Sequence, residues 1–277
     1  MTHSENPGSN TPSQQWAWIA GASEGLGLAF AEELARRGHC LVLFARRGQL
    51  LAAQAARLQE RHGISTICEV LDLGAADLAA RLMIHLETAP PSVAIYNAAF
   101  APVGNFIEQP LEHLQRVVDV NVRGPLIWSR VIGESMQRRG QGALIFMSSL
   151  AGEQGSPRIS TYAASKSFNT ILAEGLWAEL KADGVDVLVC TAGAVRTPGY
   201  QDTAASDAPG IMDAAELANV TLDGVGRGPR ISPGRINRIA ALLLGRWLPR
   251  RLAIAVMARN TRSLESASST TGPASDR

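Results

Sequence analysis

The sequence predicts an α/β fold: one domain built on a doubly wound parallel sheet with helices on both faces. Three observations carry that expectation. Apolar runs of strand length alternate with helical stretches from Trp16 to Thr191. Several of these runs are apolar throughout, as strands covered on both faces are. Gly21, Asn97 and Ser149 fall just at or past the C-terminal ends of such runs, where open parallel sheets bind ligands.

Taken in order, Trp16–Ala20 reads as the first strand, followed by the turn Gly21, Gly25, Gly27 and a helix over 28–37 that Gly38 closes. A strand at 40–45 (CLVLFA), a helix at 49–62, a strand at 65–71, a helix at 77–88 and a strand at 92–97 continue the alternation. A long helical stretch over 111–138 leads to the strand 142–149, bounded by glycines and ending in a serine pair. The helix 160–183 and the strand 185–191 follow, then a short helix at 213–222. The domain is expected to span 15–262. Residues 1–14 and 263–277 are rich in Ser, Thr, Pro, Gly and Ala and read as disordered tails.

Composition narrows the classes of function. A hydrophobic content of 46% with 18% charged residues is that of a soluble globular chain. A net charge of +1 gives no global pull on nucleic acid. The five histidines are scattered, with none after His113, which argues against a histidine-based metal site. Cys40, Cys68 and Cys190 lie in or beside strand-like runs without CxxC spacing and read as reduced core residues. The polar N-terminus is unlike a signal peptide, and every apolar run falls far short of the ~20 residues of a membrane span. A cytoplasmic protein is the expectation.

Strand, glycine turn and helix together present backbone N–H groups and a helix N-terminus to a phosphate. The spacing of Gly21, Gly25 and Gly27 is GxxxGxG rather than GxGxxG, and Ser23, Glu24 and Leu26 are counted with the turn as cofactor contacts. The same turn, GASEG, also matches a nucleophile elbow with Ser23 as nucleophile. That reading fails because the elbow would lie on the first strand and the last histidine is at 113. After the second strand, where an NAD site usually carries an acid about 20 residues past the turn, the chain has Arg46 and Arg47. Guanidinium groups suit a 2′-phosphate, so NADP(H) is expected over NAD(H). A solvated arginine pair is the plainer alternative, and Glu24 places a negative charge nearby.

Tyr162 and Lys166 are four apart on one helix face, and Ser149 ends the preceding strand. A free phenol, with pKa about 10, is a poor acid or base at neutral pH. A neighbouring ammonium would favour its ionised form, and a serine hydroxyl could hold a substrate oxygen against it.

These ordered motifs resemble the short-chain dehydrogenase/reductase superfamily over about residues 16–200. Gly21, Gly25 and Gly27 match its glycine turn, Asp72 and Leu73 its adenine-contacting pair, and Asn97 and Ala98 the core of its Asn-Ala-Gly motif, with Ala99 in place of the glycine. Asn121, Ser149, Tyr162 and Lys166 match its catalytic residues, and Val195 and Thr197 stand where carboxamide contacts are expected. Ala192-Gly193 replaces its Pro-Gly, and Ala20 stands where a threonine is common. The resemblance implies a Rossmann-like fold and a homodimer or homotetramer assembled through the long helices. It implies Tyr162 as proton donor or acceptor, Ser149 orienting the substrate oxygen, and Lys166 binding the nicotinamide ribose and lowering the tyrosine pKa. Asn121 would hold a water in a relay to Lys166.

Residues 199–234 occupy the stretch that covers the substrate in that family. From Gly224 to Arg262 there are nine arginines and no acid. Ile236, Ile239, Ala240, Leu243 and Trp247 keep helical spacing on one face, and Pro249 breaks the pattern. Such a face either packs on the core or a neighbouring subunit, or meets a membrane surface or an anionic amphiphile through 235–260. The tail loosely resembles reductases of lipid-like ketones, of 3-oxoacyl and hydroxysteroid types. The functional expectation is therefore an NADP(H)-dependent oxidoreductase interconverting a lipophilic ketone and a secondary alcohol. A non-catalytic NADP-binding scaffold and an NAD-dependent alcohol oxidation are the alternatives.

Overall fold

The computed structural model describes residues 14–201 and 207–268. Nine strands are present among them: β1 (Trp16–Ala20), β2 (Cys40–Ala45), β3 (Thr66–Val70), β4 (Pro91–Tyr96), β5 (Gly142–Ser149), β6 (Val185–Ala192), β7 (Val195–Arg196), β8 (Met212–Asp213) and β9 (Arg230–Ile231). Seven form one parallel sheet in the order β3-β2-β1-β4-β5-β6-β9, while β7 and β8 pair apart from it. The helices are α1 (Gly25–Arg36), α2 (Gly48–His62), α3 (Leu78–Leu86), α4 (Leu111–Val118), α5 (Gly124–Arg139), α6 (Ser160–Leu180), α7 (Pro198–Gln201), α8 (Ala214–Asp223), α9 (Arg235–Leu242) and α10 (Arg250–Ser268).

Each strand divides its side chains between two cores, as a period of two requires. Ile19, Leu41, Leu43, Ile95, Ile145 and Leu188 face α1, α2 and α8, where Phe30, Leu34, Leu51 and Leu217 complete one cluster. Their neighbours Trp18, Val42, Phe44, Tyr96, Leu144 and Phe146 face α3, α5 and α6. There Trp128 stands edge-on to Trp18, Phe44 and Tyr96 with ring centroids 5.4–6.0 Å apart.

The winding positions the site. The chain fills the sheet outward from β1 to β3, then returns to place β4 on the other side of β1. This reversal opens a crevice at the C-terminal ends of β1 and β4. Ala20 is in register with both Phe44 and Tyr96, so the turns after β1, β2 and β4 emerge side by side.

Several details differ from the expectation. The long helix over 111–138 is two helices joined by a π-helical turn at Asp119–Arg123. Cys40 and Cys190 are buried, but Cys68 is exposed, because β3 is an edge strand. The stretch 199–234 supplies β8, α8 and the sheet's last strand β9, so only part of it is loop; residues 202–206 lie outside the described residues. Likewise the tail at 1–14 falls almost entirely outside them, whereas α10 continues to Ser268, past the boundary expected at 262. The apolar face of α9 does not pack on this chain's core. Asn237 and Leu244 point inward, and Ile236, Ile239, Leu243 and Trp247 point to solvent.

Candidate active site

The turn after β1 is closed too tightly for side chains. Gly21 has φ +81°, and a Cβ there would lie 2.9 Å from the Ala98 Cα. A Cβ on Gly27 would lie 1.8 Å from the Gly21 carbonyl oxygen. Helix α1 thus rests directly on the turn's backbone, with Leu26 packed against the first core. Its N-cap, Glu24, makes no side-chain capping bond, leaving helix N–H groups for an anionic ligand. Around this cradle, the Asn97 side-chain amide donates to the Gly21 carbonyl at 3.2 Å. The Thr197 methyl stands 3.3 Å from where a Gly25 Cβ would be. Val195 holds its place through β7, paired with Met212. Ala99 is exposed.

Arg46 and Arg47 play different parts. Arg47 pairs with the Glu24 carboxylate at 2.5 Å and donates to the Ser23 hydroxyl at 3.0 Å. The Glu24 charge is therefore partly neutralised, and Arg47 braces the glycine turn. Arg46 is exposed and has no side-chain partner among the described residues. Its charge reaches Asp72. Partial burial pushes that carboxyl up, but the Gly74 N–H, the Arg116 guanidinium at 2.9 Å and Arg46 together hold it below the ordinary carboxylate range. Leu73, the next residue, is buried.

At the end of β5 the serine pair separates onto two faces. Ser148 is buried and bonds both the Lys166 carbonyl and the Thr170 hydroxyl at 2.8 Å, clamping α6 to the strand. Ser149 accepts from the Ala151 N–H at 3.2 Å. Burial pushes the Tyr162 phenol above its ordinary value, and the Ser149 hydroxyl beside it pulls it partly back. Lys166 is 3% exposed. Its ammonium donates to the Met147 carbonyl at 2.8 Å and stands 5.5 Å from the Tyr162 ring centroid. No carboxylate pairs with it among the described residues, and burial brings it down to about 8. The ammonium thus lies over the ring face; burial dominates the phenol, which is raised rather than lowered in this structure.

Asn121 sits in the π turn with its side chain fully buried. It accepts from the Phe100 N–H at 2.8 Å and donates to the Phe100 carbonyl at 2.9 Å and the Ser165 hydroxyl at 3.1 Å. Its amide is therefore committed to fixing the loop after β4 against α6. The adjoining Val120 carbonyl accepts from the Tyr96 hydroxyl at 2.6 Å. A π turn shifts backbone partners in this way and often marks a functional position. Sequence reading missed Ser148, Thr170, Ser165 and Tyr96. A usable signal existed only for Ser148, whose place beside Ser149 puts it on the opposite strand face.

Beside Tyr162 lies a small recess lined by Pro102, Phe106, Leu114 and Ile159 and by the polar Gln109, Arg158, Ser160 and Thr161. The structure thus gathers a phosphate-type cradle, a phenol beside a serine hydroxyl and a buried ammonium at one end of the sheet. Among the described residues no cluster of His, Cys, Asp and Glu could hold a metal ion.

Residues 15–208 match the family model described as short chain dehydrogenase. The chain belongs to the short-chain dehydrogenase family. Among curated members, it is 30% identical over 228 residues to the 7beta-hydroxysteroid dehydrogenase of Clostridium sardiniense, covering 81% of this chain and 87% of that one. It is 31% identical over 176 residues to the very-long-chain 3-oxoacyl-CoA reductase of Laccaria bicolor, covering 62% of this chain. That match spans only about half, 52%, of the 3-oxoacyl-CoA reductase. Among solved family structures, one reported for 7beta-hydroxysteroid dehydrogenase stereoselectivity superposes with a TM-score of 0.82 at 25% identity, covering 88% of this chain and 96% of that one. A short-chain dehydrogenase from Sphingobium yanoikuyae in complex with NADPH superposes with a TM-score of 0.74 at 30% identity, covering 95% and 98%. The parallel sheet and flanking helices are those of this oxidoreductase family.

Proposed function

We propose that the protein is an NADP(H)-dependent oxidoreductase that reduces a lipophilic ketone to a secondary alcohol, with Tyr162 as the proton donor. The observation that carries this reading is geometric: the Tyr162 phenol stands beside the Ser149 hydroxyl at the end of β5, with the buried Lys166 ammonium 5.5 Å from its ring centroid. A phenol carries its proton at neutral pH and can give it to an oxygen that gains negative charge beside it.

The residues fit a nicotinamide dinucleotide. The closed turn at Gly21 and Gly27 sets backbone at the uncapped α1 N-terminus, where a pyrophosphate would be held. Arg46, without a side-chain partner, supports a 2′-phosphate and hence NADP(H) over NAD(H), as does the NADPH bound in the Sphingobium relative. When bound, the cofactor supplies the hydride. What this chain supplies is orientation and protons. Ser149 holds the substrate oxygen next to the phenol, and Tyr162 donates its proton to that oxygen as it gains negative charge. Lys166 has donors left over after its single bond to Met147, available to the cofactor's ribose and to a water. Asn121 acts on the reaction as a positioning residue through Phe100 and Ser165; any water it holds would have to use its backbone.

The 7beta-hydroxysteroid dehydrogenase and very-long-chain 3-oxoacyl-CoA reductase relatives support a lipophilic substrate. A homodimer or homotetramer through α4, α5 and α6 is part of the same reading, supported by the exposed apolar residues Leu111, Val118, Leu126 and Ile171.

The test is NADPH consumption at 340 nm with a panel running from small aryl ketones to steroids and 3-oxoacyl thioesters, alongside Tyr162→Phe. Turnover that the variant loses by 10²-fold or more, with NADPH affinity kept, is expected. Tight NADPH binding without reduction of any ketone would favour a binding-only protein instead. Faster turnover with NADH would overturn the cofactor assignment.

A further inference from the structure

The apolar stripe on α9 and the π-helical turn after it, Leu243–Trp247, is left largely uncovered by the described residues. Ile236, Ile239, Leu243 and Trp247 follow one another at helical spacing and all face solvent, with Trp247 78% exposed. The opposite side is anchored. Asn237 is buried and donates to the Gly210 and Pro233 carbonyls at 2.9 and 3.0 Å. The outward orientation of the stripe is therefore fixed by a polar tether on the other face.

The charge around the stripe is equally unpaired. Many exposed arginines elsewhere find carboxylates: Arg36 and Arg37 pair with Glu33, Arg61 with Glu32, and Arg130 and Arg138 with Glu134. Arg235, Arg238, Arg246 and Arg251 have no such partner among the described residues, and the segment from 224 to 262 contains no acid. Arg238 and Arg246 also border a groove of about 960 Å³ that Arg227 shares. The groove's own carboxylates are already engaged, Glu153 and Glu174 by Arg230 and Asp223 by Arg37. The stripe is thus rimmed by uncompensated cations.

We infer that α9 and the following turn dock the protein on an anionic lipid bilayer. The helix would lie in the interface, with Ile236, Ile239, Leu243 and Trp247 among the headgroups and acyl chains and the arginines on lipid phosphates. An exposed apolar face flanked by arginines on a helix too short to span is the form of an interfacial anchor. No helix among the described residues is long and apolar enough to cross a membrane. A second copy of this chain is a poor occupant, because a two-fold interface on this face would set arginines against arginines. Asn237 ties the anchor to Gly210, in the segment that leads to β8, so docking would orient the substrate-covering segment toward the bilayer. The inference does not depend on the ketone chemistry.

Co-sedimentation of the full chain with sucrose-loaded vesicles tests it, using phosphatidylcholine alone and phosphatidylcholine with phosphatidylserine. Binding to the anionic vesicles should exceed binding to the neutral ones by about tenfold or more and weaken with added salt. Arg238→Glu with Arg246→Glu should lower it by tenfold or more, at about fivefold per cation lost. Ile239→Asn with Leu243→Asn and Trp247→Gln should abolish it while the melting temperature holds, since these side chains are already exposed. Equal sedimentation with both vesicle types, or an apolar triple variant that binds as wild type does, would overturn the inference. So would an oligomer, seen by analytical ultracentrifugation without lipid, that the triple variant dissociates.

Discussion

Replacing Lys166 with methionine should make the protein more stable while destroying its activity. The lysine is 3% exposed, its ammonium has one protein hydrogen bond, and burial lowers it from 10.5 to about 8. At about 1.36 kcal/mol per pH unit, that gap amounts to about 3 kcal/mol of destabilisation wherever the ammonium is charged in both folded and unfolded chains. Methionine has a similar unbranched shape and no charge to desolvate. Against the gain stands the Met147 carbonyl, which loses a donor at a cost of about 1–3 kcal/mol. A net stabilisation of up to about 2 kcal/mol at pH 7 is expected, up to roughly 8 °C in melting temperature.

The sign can be checked by pH. Between about 8 and 10.5 the unfolded chain holds the lysine proton and the folded one does not. Wild-type stability from this residue therefore rises with pH through that window, and the advantage of Lys166→Met should shrink from pH 7 to pH 10. Urea unfolding of both proteins at the two pH values, without cofactor, measures it. A variant that is less stable than wild type at pH 7, or an advantage that does not change with pH, would refute the reasoning.

Arg46→Ala should weaken NADPH by about 5–30-fold, the value of a charge-assisted contact discounted for its exposure, and leave NADH nearly unchanged; fluorescence titration with both cofactors reads this, and equal losses would be against it. Gly27→Ala should cost cofactor affinity more than tenfold along with about 1–3 kcal/mol of stability, because the new methyl meets the Gly21 carbonyl at 1.8 Å; calorimetric titration and a melt report both. Tyr96→Phe strips the Val120 carbonyl of its donor and should cost about 1–3 kcal/mol, seen as a lower melting temperature with the cofactor turn intact.

The fold was legible because its signals are local and repeat. Strands at 16–20, 40–45 and 142–149 are apolar runs closed by glycine or serine, and their bounds in the structure are those read from the sequence. The meeting of Tyr162, Lys166 and Ser149 was equally legible, since Tyr162 and Lys166 share a helix face and Ser149 ends a strand. What sequence could not carry were contacts between distant segments. Nothing in the order of residues pairs Arg47 with Glu24 while leaving Arg46 free, because the choice depends on how the turns after β1 and β2 meet. Strand β9 escaped for another reason: two residues, Arg230 and Ile231, have no period, and only the neighbouring β6 makes them a strand.

The α9 stripe shows where periodicity stops being informative. Helical spacing of apolar residues says that a helix has an apolar side; it does not name what covers that side. In α1, Phe30 and Leu34 meet the sheet, and the arginines at that helix's end are paired with Glu33. In α9 the spacing is just as regular, yet the stripe faces out and its arginines have no carboxylate partner among the described residues. The inward side is held by Asn237, an amide whose value lies in reaching the Gly210 and Pro233 carbonyls, something no hydropathy pattern records. Charge context therefore separates the two helices where hydrophobicity does not. The arginines at the end of α1 are answered by Glu33, whereas Arg235, Arg238 and Arg246 around the α9 stripe have no answering carboxylate among the described residues.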